Sequence, residues 1–142
     1  MNKLLFGIGN SGRSDDGLGW AFLDRIKQQP GFVARIEYRY QLQLEDAALV
    51  RDAEHVIFID SYKGELPGGY QWKPCEPSRE FEFTSHVLPP GAVLYLCQEL
   101  YGKLPRADLL MIQGSCWDLR VGMSSEAEIH LDSAVRFFLM GP

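Results

Sequence analysis

Lys3-Leu4-Leu5-Phe6-Gly7-Ile8-Gly9-Asn10-Ser11-Gly12-Arg13-Ser14-Asp15-Asp16-Gly17-Leu18-Gly19 decides the fold. Lys3 to Phe6 with Ile8 is a short, nearly continuous apolar run, as expected for a strand covered on both faces. Gly7, Gly9, Asn10 and Gly12 follow, and glycine and asparagine tolerate the backbone angles of a sharp turn. From Leu18 the apolar residues Leu18, Ala21, Phe22 and Ile26 recur at helical spacing. Asp15 and Asp16 open that helix. Carboxylates there gain roughly 0.3–1 kcal/mol from the helix dipole. Asp15 is read as an N-cap, while Asp16 suits either a cap or a cation ligand.

Gly7 to Gly12 also satisfies G-x-G-x-x-G. As a dinucleotide fingerprint the match is weak. Asp15 and Asp16 place negative charge where a pyrophosphate would sit. The second strand ends Arg39-Tyr40-Gln41 rather than in the acid that holds a ribose.

Outward from this turn, Phe32 to Tyr40 alternates as a strand whose charges suit a sheet edge. Glu45 to Arg51 is a short helix. His55-Val56-Ile57-Phe58-Ile59-Asp60 is an apolar strand running straight into a carboxylate. In an open parallel sheet, ligands bind beyond the carboxyl ends of the strands, at the switch point between neighbours. If the first and third strands are adjacent, Asp60 stands beside Asp16.

Tyr70 to Lys73 is a strand that Phe81 to Phe83 extends. Ser85-His86 lies in a loop before a helix carrying Val93, Leu96, Cys97, Leu100 and Tyr101. Asp108 to Gln113 is a buried strand stopped by Gly114. Ser125 and Glu128 have capping-box spacing and open a last helix bearing Leu131, Ala134, Val135, Phe138 and Leu139. Helices alternating with apolar strands imply an α/β domain with a mostly parallel sheet, and residues 1–142 show no internal boundary.

Net charge is −5, with 46% hydrophobic and 23% charged residues, and Lys and Arg form no run. Nucleic acids and anionic membranes are therefore not expected partners. No apolar stretch is long enough to cross a bilayer. Met1-Asn2-Lys3 leads straight into the first strand without a signal-peptide pattern. Cys75, Cys97 and Cys116 fit neither a disulfide framework nor a zinc knuckle. A cytoplasmic protein with free thiols is expected, with Cys97 in the core and Cys116 the thiol to watch. His55 and His130 have less support as ligands than His86.

Asp16, Asp60 and His86 form the candidate site. Two carboxylates and an imidazole suit nickel, zinc or a similar divalent ion, and three ligands leave positions open for water or a partner. No H-E-x-x-H and no G-x-S-x-G is present.

Gly7-Ile8-Gly9-Asn10, Arg13 and Asp15-Asp16-Gly17-x-Gly19 resemble the N-terminal signature of the hydrogenase maturation proteases. Val56 to Asp60 resembles their second signature, and Ser85-His86 their histidine loop. Gln41-Leu42 and Gly114 extend the resemblance over nearly the whole chain. It implies a three-layer α/β sandwich, with a mostly parallel twisted sheet and helices on both faces. It implies an endopeptidase that removes the C-terminal extension from the precursor of a nickel–iron hydrogenase large subunit after nickel insertion. The nickel would come with the substrate, without an organic cofactor. Asp16, Asp60 and His86 would be both the metal-contacting and the catalytic residues, in a monomer meeting its substrate transiently. Tyr40-Gln41-Leu42-Gln43 replaces the glycine-rich acidic turn of some relatives, and Arg120 stands where they tend to have a small residue.

Two other functions predict different behaviour. A nickel carrier would hold the free ion and cleave nothing. A nucleotide-binding module would be stabilised by a nucleotide and improved by Asp16→Ala. Nickel binding is expected to weaken as pH falls through about 6.5, where a free imidazole protonates.

Overall fold

The computed structural model describes residues 2–80 and 88–142. Five strands form one sheet: β1 (Lys3–Ile8), β2 (Arg35–Arg39), β3 (His55–Lys63), β4 (Tyr70–Pro74) and β5 (Arg106–Gly114). Among the described residues four α-helices accompany them: α1 (Leu18–Ile26), α2 (Asp46–Arg51), α3 (Pro90–Tyr101) and α4 (Ser125–Leu139). The strand order is β2-β1-β3-β5-β4. β1 runs parallel to both β2 and β3, β3 runs parallel to β5, and β4 pairs antiparallel with β5 at the edge. The mostly parallel α/β sandwich expected from the sequence is therefore present, with β2 at the opposite edge.

Side chains alternate across the sheet, and each face has its own core. Leu5, Ile57, Ile59, Leu110 and Ile112 pack under α1 and α4, against Leu18, Phe22, Leu23, Leu131 and Val135. Leu4, Phe6, Ile8, Val56 and Phe58 face the other way, against Leu42, Ala47, Val50, Val93, Leu94 and Cys97. Cys97 is core, as expected. β1 and β3 are buried on both faces, which is why they read as continuous apolar runs rather than alternating ones.

The chain leaves β1 for β2 by way of α1 on one face. It returns past β1 to β3 by way of α2 on the other. The switch point thus falls between β1 and β3, as the sequence reading required. Gly7 pairs with Ile59, and there the β1–β3 ladder ends. β3 does not stop at Asp60, as its apolar pattern suggested. It continues against β5 until Lys63 meets Gly114. Asp60 therefore stands on a paired, rigid strand one residue beyond the point where β1 departs.

α1 comes very close to the sheet at this place. A Cβ on Gly19 would lie 2.6 Å from the carbonyl oxygens of both Ile8 and Ile59. Gly19→Ala must lift the helix from the sheet and is expected to cost about 2–3 kcal/mol in urea unfolding. An unchanged midpoint would show that the helix has room to spare.

Candidate active-site cleft

The turn after β1 is held by its own hydrogen bonds. Gly9 has φ of 143°, a region closed to most side chains, and a Cβ there would strike the Asp16 carbonyl. The Gly9 N–H donates to the Arg39 carbonyl at 2.9 Å, and the Asn10 N–H donates to that of Asp16 at 3.0 Å. The Asn10 side chain accepts from the Gly12 N–H at 2.8 Å. Gly9 serves the close packing of the turn on the Asp16 backbone.

A short 3-10 helix, Ser14–Gly17, precedes α1, and the N-cap of α1 is Gly17, without a side-chain cap bond. Neither aspartate caps α1, contrary to the sequence expectation for Asp15. Asp15 is fully buried and accepts four hydrogen bonds from the other end of the chain. They come from the backbone N–H groups of Ser115 at 2.7 Å, Cys116 at 2.8 Å and Ser124 at 2.7 Å, and from the Ser124 hydroxyl at 2.7 Å. Burial pushes its pKa up, but these donors outweigh it and hold the carboxyl below its ordinary value. Ser124, one residue before the expected cap, is the N-cap of α4 and accepts from the Ala127 N–H. Ser14, held at φ of 48°, donates to the carbonyls of Arg120 and Asp118. The 3-10 helix is thus pinned to the 115–124 loop.

Asp16, the next residue, points elsewhere. Its Oδ1 accepts the Ser61 hydroxyl at 3.2 Å, while the Ser61 N–H donates to Asp60 Oδ1 at 2.8 Å. Ser61 therefore touches both acids. Burial raises the Asp16 pKa, against the opposing pull of Ser61, Arg13 and the Asn10 backbone. Burial, with a further push from Asp16, raises Asp60 to about 7 despite the Ser61 N–H. Two carboxylates sharing one site oppose each other's ionisation in this way.

Both acids line one cleft of about 350 Å³. Tyr40, Gln41 and Leu42 line it from the β2–α2 loop, and Leu88, Pro89 and Pro90 from the start of α3. Leu42 and Leu88 form an antiparallel bridge that ties these two walls together. The Arg39–Asp46 ion pair at 2.9 Å, with the Gln43 N–H on Asp46 at 2.9 Å, holds the β2–α2 loop in shape. Tyr40 stays 68% exposed at the rim, its ring 5.1 Å from that of Trp20. Among the described lining residues, Asp16 and Asp60 are the only charged ones. Two adjacent carboxyl groups, with no basic side chain among the described lining residues, are oxygen donors of a kind that fits a docked divalent ion.

The structure brings Asp16 and Asp60 together. His86, the third residue of the expected set, and Phe81 to Phe83 lie outside the described residues. Among the described residues no group of three His, Cys, Asp or Glu side chains converges on a metal position. His55 is at the opposite end of the sheet, its Nε2 2.7 Å from Asp108 Oδ2. His130 pairs its Nδ1 with the Gln113 carbonyl at 3.0 Å and packs on Gly69. Cys116 sits between Asp118 and Arg120, outside the cleft lining. Sequence reasoning missed Ser61. Its signal was a hydroxyl directly after an acid at the switch point.

No family model matches the chain, and neither does any curated protein. Solved structures do, and they show that the fold is the one found in hydrogenase maturation endopeptidases. The hydrogenase maturating endopeptidase HybD from E. coli superposes with a TM-score of 0.77 at 18% identity, over 99% of this chain and 91% of that one. The hydrogenase 2 maturation peptidase from a Thaumarchaeota archaeon gives 0.70 at 24% identity, over 99% and 97%. The [NiFe] hydrogenase maturation protease HycI from Thermococcus kodakarensis gives 0.74 at 18% identity, over 98% and 90%. No helix among the described residues is long and apolar enough to cross a membrane.

Proposed function

We propose that the protein is an endopeptidase that removes the C-terminal extension from the nickel-loaded precursor of a nickel–iron hydrogenase large subunit, recognising the nickel its substrate carries. The observation that carries this reading is the meeting of Asp16 and Asp60 in one cleft whose other described lining residues are uncharged. That cleft lies at the β1–β3 switch point of a fold shared with maturation endopeptidases.

The chain's own residues account for the first steps. Asp16 and Asp60 attract the substrate's divalent ion and replace part of its water shell. Asp60, held near pH 7, gives up its proton as the ion arrives. His86 supplies the third donor in this reading. Leu88, two residues further along the chain, lines the cleft. Docking the ion fixes the neighbouring peptide bond in one place, which removes entropy from the barrier. A bound nickel supplies Lewis-acid character to a carbonyl or a water nearby. Tyr40 and Gln41, on the open side, are where this chain would contact the extension.

The test is incubation with nickel-loaded and apo precursors, read as a mass shift of the large subunit. Cleavage of the loaded form alone is expected. His86→Ala should leave the melting temperature unchanged and abolish cleavage. Retained cleavage by that variant would remove the histidine from the mechanism. Nickel binding without cleavage of any precursor would instead identify a carrier.

A further inference from the structure

Ser61 makes the two bonds that join the acids, and its place in the fold explains how it can. It follows Asp60 on β3, beyond the last β1 pair, so its backbone N–H is not taken up by a β1 ladder. That N–H turns to Asp60 Oδ1 at 2.8 Å. Its side chain turns to Asp16 Oδ1 at 3.2 Å, across to the 3-10 helix. The strand beneath it is fixed, because Ser61 pairs with Ile112 in the β3–β5 ladder. One residue on a rigid element therefore holds one oxygen of each carboxylate.

We propose that Ser61 is a positioning residue of the cleft, using its N–H and its hydroxyl to set Asp60 and Asp16 as a prearranged pair for the substrate's divalent ion. The proposal rests on the cation-docking reading above. Two like charges with no fixed donor between them would swing apart, and an ion would have to gather them before binding. Ser61 takes up Oδ1 of each acid, so in this proposal Oδ2 of each is the oxygen that meets the ion. Groups that orient metal-binding side chains in this manner typically govern affinity by 10–100-fold. The hydroxyl is the separable half of the device, since the N–H remains in any substitution other than proline.

The experiment compares the parent with Ser61→Ala and Ser61→Thr. Nickel ion alone is titrated by calorimetry, and nickel-loaded precursor is used for steady-state cleavage. Ser61→Ala should weaken nickel binding about 10-fold or more and raise KM for loaded precursor by a similar factor. Its kcat should stay within about twofold, because the loss lies in docking. Ser61→Thr keeps the hydroxyl, suits a strand, and should restore both values. Equal nickel affinity and KM in parent and Ser61→Ala would overturn the proposal while leaving the docking reading intact. So would a Thr variant as weak as the Ala variant. A melting temperature that falls in step with affinity would also overturn it, since Ser61 would then be supporting the strand. A parent that neither binds nickel nor cleaves loaded precursor would sink the docking reading itself, and this proposal with it.

Discussion

Asp60→Asn is expected to stop cleavage of nickel-loaded precursor while making the metal-free protein melt at a higher temperature at pH 8. The two effects have one origin. Burial, and then the Asp16 charge, raise the Asp60 pKa in the folded state to about 7, against 3.8 for a free side chain. Between those values the folded protein binds more protons than the unfolded one, so stability falls as pH rises. The contribution of Asp60 is complete below about pH 4 and is lost as pH climbs through 7. At pH 8 the folded state carries the full electrostatic penalty. Asparagine removes the charge, keeps the shape and still accepts the Ser61 N–H. A rise of about 5 °C at pH 8, shrinking toward zero at pH 4, is expected from scanning calorimetry. A shift of the same size at both pH values would show that the strain on Asp60 is not electrostatic.

Asp15→Ala should have the largest effect on the fold. It removes the acceptor of four hydrogen bonds at once and leaves the N–H groups of Ser115, Cys116 and Ser124 without it. Buried donors left unmade are costly, and a loss of about 3–5 kcal/mol in urea unfolding is expected. Asp15→Asn should fall between, because its amide N–H₂ faces groups that are themselves donors. The pH dependence runs opposite to that of Asp60. The folded-state pKa of Asp15 lies below 3.8. Its stabilisation is thus present above 3.8 and disappears as pH falls through the lower folded value. The parent and Asp15→Ala should converge in stability only in strong acid. A cost under 1 kcal/mol at pH 7 would mean that water replaces the carboxylate without loss.

Neighbouring aspartates in one tripeptide thus serve opposite ends, and the sequence showed only part of this. β1, β3 and α4 were legible because their apolar patterns match what buries them. Val56 to Ile59 could be read as a buried strand running into Asp60, and the adjacency of β1 and β3 on which its place beside Asp16 depended came from the structure. The last stretch of β3 was not legible. Ser61, Tyr62 and Lys63 carry no apolar pattern, and they are strand only because β5 is long enough to pair with them. The role of Asp15 was hidden for a different reason. Its donors lie at residues 115, 116 and 124, and no local pattern reports a partner that distant. An acid in a first helical turn looks like a cap until the other partner is seen. The capping box at Ser125 and Glu128 was off by one residue because Ser124 is held by Asp15 as well as by its own helix.

The pinning of the 3-10 helix to the 115–124 loop also sets an order of events during synthesis. The turn that aims Asp16 acquires its anchors only after residue 124 has left the ribosome. A growing chain therefore has β1 and β3 in hand long before the 3-10 helix that carries Asp16 can be pinned. In immature or truncated products the turn that carries Asp16 would lack its anchors, and the cleft that holds both acids would be complete only in molecules that have finished folding.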